Sequence, residues 1–130
     1  MPPNAFSTAL MLLREGRTLT RRELSKLAEV DHAYELRLES GEKENPSDET
    51  IGKLMRGLRL KAGDRDAQIL KYTAMYPQTW NDFVAHVLRD PTVTMDEFTM
   101  GAGMMNRGER PAPAVILERV RRVLSEDQGE

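Results

Sequence analysis

The residue types best suited to catalysis or metal binding are few and far apart in this sequence. Its two histidines, His32 and His86, are separated by 54 positions, and the chain contains no cysteine. This spacing matches no recognised metal site. No nucleophile, general base and orienting residue can be assembled from the other side chains. We therefore expect no enzyme, no bound metal and no cofactor.

The triplet Gly101-Ala102-Gly103 is a lone G-x-G. No strand is predicted before it, and no lysine follows it in the register of a phosphate-binding loop. Small residues in a helix more often allow a neighbouring helix to pack closely, and this is the interpretation we favour.

Charged and hydrogen-bonding side chains are denser in residues 30–46, VDHAYELRLESGEKENP. Asp31 suits the N-cap of a short helix that runs from His32 to about Ser40. Gly41 suits the left-handed residue that ends such a helix. The chemistry of the segment depends on which side chains this helix exposes.

Glu35 does not fit this helix, because it stands where a short helix of this kind ordinarily buries an aliphatic residue. An unpaired buried carboxylate would cost several kcal/mol. Two solutions are open. Either the helix rotates by part of a turn and buries Leu36 beside Leu38, which we favour, or Glu35 pairs with a cation such as Lys53 or Arg56.

Helical patterns continue along the whole chain. Helices are expected at about residues 4–15, 21–28, 32–40 and 48–58, and apolar residues recur at helical spacing at 69–74, 80–88, 95–105 and 116–124. Leu24, Leu27 and Ala28 should form the buried face of the second helix. Thr20 with Glu23, and Thr94 with Glu97, are capping boxes that mark helix starts. No stretch alternates with a period of two, so the predicted fold class is all-α.

The length of 130 residues suits one compact domain, or a small module followed by a dependent second half. Lys61-Ala62-Gly63-Asp64 has the composition of a boundary. We therefore divide the chain into residues 1–62 and a helical region of residues 63–130.

Charge and hydropathy exclude some classes of protein. The net charge of −2 gives no overall positive field, and the first half is only slightly more basic than the second. No run reaches the roughly 18 apolar residues of a membrane span, and the N-terminus lacks a secretory signal. We expect a cytoplasmic protein without a membrane-spanning segment.

Leu10 to Leu60 carries a specific pattern. This stretch, LMLLREGRTLTRRELSKLAEVDHAYELRLESGEKENPSDETIGKLMRGLRL, resembles the lambda-repressor/Cro-like family of helix-turn-helix domains, often called XRE. The resemblance depends on Leu13-Arg14, Leu19-Thr20, Glu23-Leu24, Ala28, Tyr34, Arg37-Leu38-Glu39, Gly41, Pro46-Ser47, Thr50-Ile51 and Lys53-Leu54. It covers residues 10–60 and nothing from about Gly63 onward.

The resemblance implies that the third helix enters the major groove of DNA. It places His32, Ala33 and Arg37 at the positions that read bases. Arg37 could bind guanine bidentately, Ala33 could contact a thymine methyl group, and His32 could donate to an acceptor on a base edge or a phosphate.

The resemblance also implies positions that contact the DNA backbone and one that stabilises the fold. Phosphate contacts are expected from Arg21, Arg22, Tyr34, Lys43 and Asn45. Arg14 and Glu39 are expected to form a partly buried ion pair. The family usually has an aliphatic residue at position 35 and a polar one at 36, whereas here the two types are exchanged.

The last predicted helix has an apolar face. A C-terminal amphipathic helix on a small DNA-binding module often serves dimerisation, which we favour over packing within its own chain. The dimer candidates are Ile116, Leu117, Val120, Val123 and Leu124.

These features predict a regulator of transcription that binds double-stranded DNA, of the kind found in bacteria and their phages. Repression by a homodimer on a pseudo-palindromic operator is the expected mode. The alternative is an antitoxin or adaptor whose C-terminal half binds a partner protein. The antitoxin would mask a toxin and repress its own operon, whereas in the adaptor Glu35 would mark a helix-turn-helix that no longer reads DNA.

Overall fold

Helices, and no strands, form the described part of the computed structural model, which is residues 3–104 and 110–128. The all-α prediction is therefore confirmed. Within these described residues the eight helices are α1 (Ala5–Gly16), α2 (Arg21–Ala28), α3 (His32–Ser40), α4 (Asp48–Gly57), α5 (Arg65–Met75), α6 (Asn81–Arg89), α7 (Met95–Gly103) and α8 (Pro113–Gln128). Met105, expected in the seventh helix, lies outside the described residues.

Local capping explains most helix starts. The Thr20 hydroxyl accepts from the Glu23 amide, while the Glu23 carboxylate accepts from the Thr20 amide, and Thr94 and Glu97 repeat this exchange. Both predicted capping boxes are confirmed. A third box, formed by Asn4 and Ser7, begins α1. Each box satisfies amides that would otherwise lack a partner in the first helical turn.

Helix α1 connects the two halves of the chain. It packs against α3 from the first half and against α5 and α6 from the second, while α2 packs on α4 and α3. The Ala5 amide also donates to the Pro77 carbonyl at 2.9 Å. One continuous hydrophobic core contains residues of both halves. The regions 1–62 and 63–130 therefore do not have separate hydrophobic cores.

Helix α8 belongs to this same core. Ile116, Leu117 and Val120 are no more than 3% exposed, and Leu124 packs against the core. Contacts within their own chain already bury Ile116, Leu117 and Val120, so packing within the chain, the alternative to dimerisation, accounts for this part of the apolar face. Val123, at 38% exposed, is the dimer candidate that faces outward.

Two small-residue positions explain close helix contacts. A Cβ atom on Gly101 would lie 2.5 Å from Cζ of Phe83, so the absence of a side chain lets α7 approach α6, as the packing interpretation predicts. A Cβ atom on Gly57 would lie 3.0 Å from the backbone nitrogen of Ala28, where α4 meets α2. Leu27 is 52% exposed rather than buried, because Leu24, Ser25 and Ala28 form the buried face of α2.

Candidate functional site

A short connection joins α2 to α3. Glu29 ends α2 in the left-handed conformation, with φ 57°, and the Val30 amide donates to the Ser25 carbonyl at 3.0 Å. Asp31 then begins α3 by accepting from the Tyr34 amide at 3.2 Å, as its N-cap role predicts. These backbone contacts fix the direction in which α3 leaves α2.

The outward face of α3 is a stripe of four exposed residues, Ala33, Leu36, Arg37 and Ser40, which we call the outer stripe. Their i, i+3, i+4 and i+7 spacing places them on one side of the helix. Within the described residues, the guanidinium of Arg37 forms no ion pair, so it is available to a ligand.

Only two of the three expected base-reading residues lie on this exposed face. Ala33 and Arg37 belong to the outer stripe, whereas His32 is half-buried and its Nδ1 atom is buried without a hydrogen-bond partner among the described residues. Leu36, at 39% exposed, occupies the stripe although sequence analysis did not select it. The exchange of residue types at positions 35 and 36 was the signal that could have identified it.

The expected phosphate-contacting residues divide into two groups. Arg21, the first residue of α2, lines a groove of about 340 Å³ together with Leu36, Arg37, Ser40 and Glu42. Arg22, Lys43 and Asn45 are exposed outside this groove, and Tyr34 is half-buried against the core. The structure therefore brings Arg21 and Arg37 to one surface, with the carboxylate of Glu42 beside them.

Arg14 and Glu39 form a bidentate ion pair beneath the outer stripe. Nε of Arg14 donates to Oε2 of Glu39 at 2.7 Å, and Nη2 donates to Oε1 at 3.0 Å. Nη1 of Arg14 donates to the Leu19 carbonyl at 2.7 Å. Burial alone would raise the pKa of Glu39, but hydrogen bonds from Glu35 and Arg14 outweigh it and lower the pKa. The pair ties α1 to α3.

Arg21 extends this ion pair toward the surface. Its Nε atom lies 3.3 Å from Oε1 of Glu39, and its side chain is 49% exposed, against 3% for Glu39. One carboxylate therefore binds a buried arginine from α1 and a half-exposed arginine from α2.

Both solutions that sequence analysis offered for Glu35 are wrong. The helix does not rotate, since Glu35 is fully buried and Leu36 is exposed. No cation of residues 3–104 or 110–126 pairs with Glu35, and Lys53 lies 3.8 Å from Glu49 instead. No hydrogen-bond donor among the described residues contacts either carboxyl oxygen of Glu35, so the contact open to it is donation of its own proton to Glu39.

Protonation explains how Glu35 can be buried, because a neutral carboxyl group avoids the cost of burying a charge. Burial raises the pKa of Glu35 to about 9, and a hydrogen bond to Glu39 and the negative charge of Glu39 act in the same direction. A protonated Glu35 has an O–H group that can donate to the Glu39 carboxylate one helical turn away. At neutral pH the two carboxyl groups therefore hold one proton between them.

Within residues 3–104 and 110–128, no three histidine, aspartate or glutamate side chains cluster in a way that could hold a metal ion. None of the described helices is long and apolar enough to cross a membrane. Comparison of the chain with models of protein families, with curated proteins and with solved structures finds no significant match.

Proposed function

We propose that the protein is a sequence-specific DNA-binding regulator of transcription, in which α2 and α3 act as a helix-turn-helix of the lambda-repressor/Cro-like type. The observation that carries this proposal is the outer stripe of α3. Ala33, Leu36, Arg37 and Ser40 are exposed together, while the opposite side of the same helix is fixed by the ion pair between Arg14 and Glu39.

A rigid helix with one free arginine suits readout in the major groove. The groove of B-DNA admits an α-helix, and a guanidinium can bind the O6 and N7 atoms of guanine bidentately. We assign this contact to Arg37 and a thymine methyl contact to Ala33. His32, being half-buried, is limited to the edge of such an interface.

Arg21 is the phosphate contact that the geometry favours most. It stands at the N-terminus of α2, where amide groups and the helix dipole also attract an anion. Its half-exposed side chain shares the groove with Arg37. Arg22, Lys43 and Asn45 are exposed and complete the proposed set of backbone contacts.

We further propose a repressor that binds a pseudo-palindromic operator as a homodimer. In such a dimer, two recognition helices roughly 34 Å apart would read half-sites one helical turn apart. The dimer contact must use a surface other than Ile116, Leu117 and Val120, which are buried in their own chain.

Selection from a random pool of duplex DNA, followed by titration of the selected sequence at several salt concentrations, tests the proposal. We expect a palindromic motif, and an affinity whose logarithm falls linearly with the logarithm of the salt concentration. Arg37→Ala should lose about 1–3 kcal/mol of discrimination at one base pair. Arg119→Ala removes the same charge from the exposed side of α8 and should leave discrimination unchanged.

Failure to enrich any motif, with weak binding at every salt concentration, would contradict the proposal. The alternative is then an antitoxin or adaptor that binds a partner protein through its second half. One observation favours it, namely the exposure of Met75 and Tyr76 at the end of α5, at 70% and 43%. In that case, Met75→Ser with Tyr76→Ser would abolish binding of the partner, whereas Arg37→Ala would not.

A further inference from the structure

Glu35 is a buried acidic side chain in α3, a helix whose other buried residues are the aliphatic Leu38 and the ion-paired Glu39. Its side chain is fully buried, and both of its carboxyl oxygens lack a hydrogen-bond donor among the described residues. Buried polar groups in proteins are nearly always satisfied, so an exception calls for a physical explanation. The charged groups near Glu35 determine whether it can ionise.

These groups come from the helices on which α3 chiefly packs, α1 and α2, and from α3 itself. Helix α1 contributes Arg14, which in turn lies 4.0 Å from Glu15. Helix α2 contributes Arg21, and α3 contributes Glu39. Glu35 therefore faces two cations and one competing carboxylate.

The two cations are already engaged elsewhere. Arg14 donates from all three of its nitrogen atoms, to Glu39 and to the Leu19 carbonyl. Arg21 donates from Nε to Glu39. No N–H group of either arginine reaches the Glu35 oxygens, so an ionised Glu35 would have no donor in this arrangement, whereas a protonated Glu35 has an acceptor in Glu39.

Loss of the proton would force a rearrangement. Two carboxylates one turn apart in a water-poor interior repel each other strongly, and they would compete for the same two arginines. Arg14 is buried and fixed, but Arg21 is half-exposed and can be drawn inward. Otherwise α3 must move outward to hydrate Glu35, which displaces the outer stripe.

We propose that Glu35 is a positioning residue for the DNA-binding face. While it holds its proton, α3 keeps its place, and the N–H groups of Arg21 that do not bind Glu39 stay available to a phosphate. When it loses the proton, DNA is released. This inference rests on the proposed function. One proton leaves the Glu35 carboxyl for a solvent base per protomer, and DNA binding at alkaline pH takes that proton up again.

The test is the dissociation constant for the selected duplex between pH 6.5 and pH 10, for the full chain. Since burial raises the pKa of Glu35 to about 9, wild-type affinity should be nearly constant to pH 8. At pH 10 it should be about tenfold weaker for each protomer bound, and therefore about a hundredfold weaker for a dimer on two half-sites. Glu35→Gln keeps the size and a donor but cannot ionise, so its affinity should change far less over this range. Glu42→Gln, in the same groove but exposed, should retain the wild-type pH dependence.

Equal pH dependence in wild type and Glu35→Gln overturns the inference and leaves the proposed function standing. Absence of binding to any duplex at any pH overturns both. Circular dichroism at each pH separates release of DNA from unfolding: unfolding over the pH range in which affinity falls would also overturn the inference.

A second measurement does not depend on the variant being folded. The carboxyl carbon resonance of Glu35 in wild type can be followed against pH with and without the duplex. We expect the bound protein to titrate at the higher pH, because DNA selects the protonated form. The same titration midpoint in both states overturns the inference.

Discussion

At the scale of single residues, the main feature of α3 is its buried pair of carboxyl groups. Glu39 and Glu35 are one helical turn apart, yet their pKa values are displaced in opposite directions. Two neighbouring carboxyl groups that cannot both ionise behave in this way. The bidentate contact with Arg14 selects Glu39 as the ionised member.

Glu35→Gln should make stability less dependent on pH. In the unfolded chain Glu35 titrates near its ordinary pKa of 4.5, and in the folded protein its pKa is raised to about 9. The folded state therefore holds a proton that the unfolded state lacks between these values, and the free energy of unfolding falls as pH rises through this window. At pH 7 the variant should be more stable by about 3 kcal/mol.

Urea unfolding at pH 4, 7 and 9 measures this effect. At pH 4 the variant and wild type should have nearly equal stability, because Glu35 is then largely protonated in both states. The lowered pKa of Glu39 acts with the opposite sign, since its contribution to stability is lost as pH falls. The amide of the variant can still donate to Glu39, so this contribution should change little between the two proteins. A wild-type advantage at pH 7 would contradict the prediction.

The sequence identified Glu35 as a misfit but did not predict how it is accommodated. Rotation of α3 to bury Leu36 would also have moved Glu39 away from Arg14, because a helix turns as a rigid body. The Arg14 contact is a tertiary interaction that spacing along α3 cannot reveal. Protonation of Glu35 is a third solution, besides rotation of α3 and pairing with a cation. It depends on how deeply the folded structure buries the Glu35 side chain, which the sequence does not show.

At the scale of helices, the sequence predicted the features that depend on residues close together in the chain. The capping boxes at Thr20 and Thr94 involve residues three positions apart, so the sequence contains all of their parts. The exposure of Leu27 could not be predicted in this way, because it depends on how α4 crosses α2. Helical spacing gives an apolar face but not the neighbour that covers it.

Two glycines of α4 should respond oppositely to the same substitution. Gly57→Ala places a Cβ atom 3.0 Å from Cβ and the backbone nitrogen of Ala28, so the contact between α4 and α2 must shift. We expect a loss of about 1–3 kcal/mol of unfolding free energy. At Gly52 the nearest atom is the end of the Arg56 side chain at 3.9 Å.

Gly52→Ala is therefore the matched control, and it should stabilise the protein by about 0.5–1 kcal/mol because alanine favours the helix. Thermal and urea unfolding of the two variants measure the difference. Equal effects of both substitutions would show that the contact between α4 and α2 is looser than its geometry indicates.

At the scale of the whole molecule, α1 and a single core connect regions that sequence analysis divided at residue 62. The resemblance ended at Leu60, and the composition of residues 61–64 suggested a boundary. The contacts of α1 with α5 and α6 join residues at least 49 positions apart. Such contacts leave no periodic signal, which is why the helices were predicted and their arrangement was not.

Val120→Ala and Val123→Ala should separate folding from self-association on α8. Val120 is fully buried and Val123 is 38% exposed, one turn away on the same helix. We expect Val120→Ala to cost about 2–3 kcal/mol of unfolding free energy, and Val123→Ala to cost less than about 0.5 kcal/mol.

Light scattering on both variants completes this comparison. If the outer side of α8 takes no part in a dimer, Val123→Ala should leave the molecular mass in solution unchanged. A lower mass for Val123→Ala, with unchanged stability, would instead locate a dimer contact there.

The position of α1 also has a consequence for synthesis on the ribosome. Helix α1 emerges early, but the surfaces that cover it, α5 and α6, span Arg65–Arg89. At about 5–20 residues per second, translation of that stretch takes roughly 1–5 s. During this interval Ala5 has no Pro77 carbonyl to bind, and part of the apolar surface of α1 stays open to water or a chaperone. A nascent chain stalled near Lys61 should therefore be held by chaperones and be sensitive to protease, although every residue of the proposed DNA-reading helix has already been made.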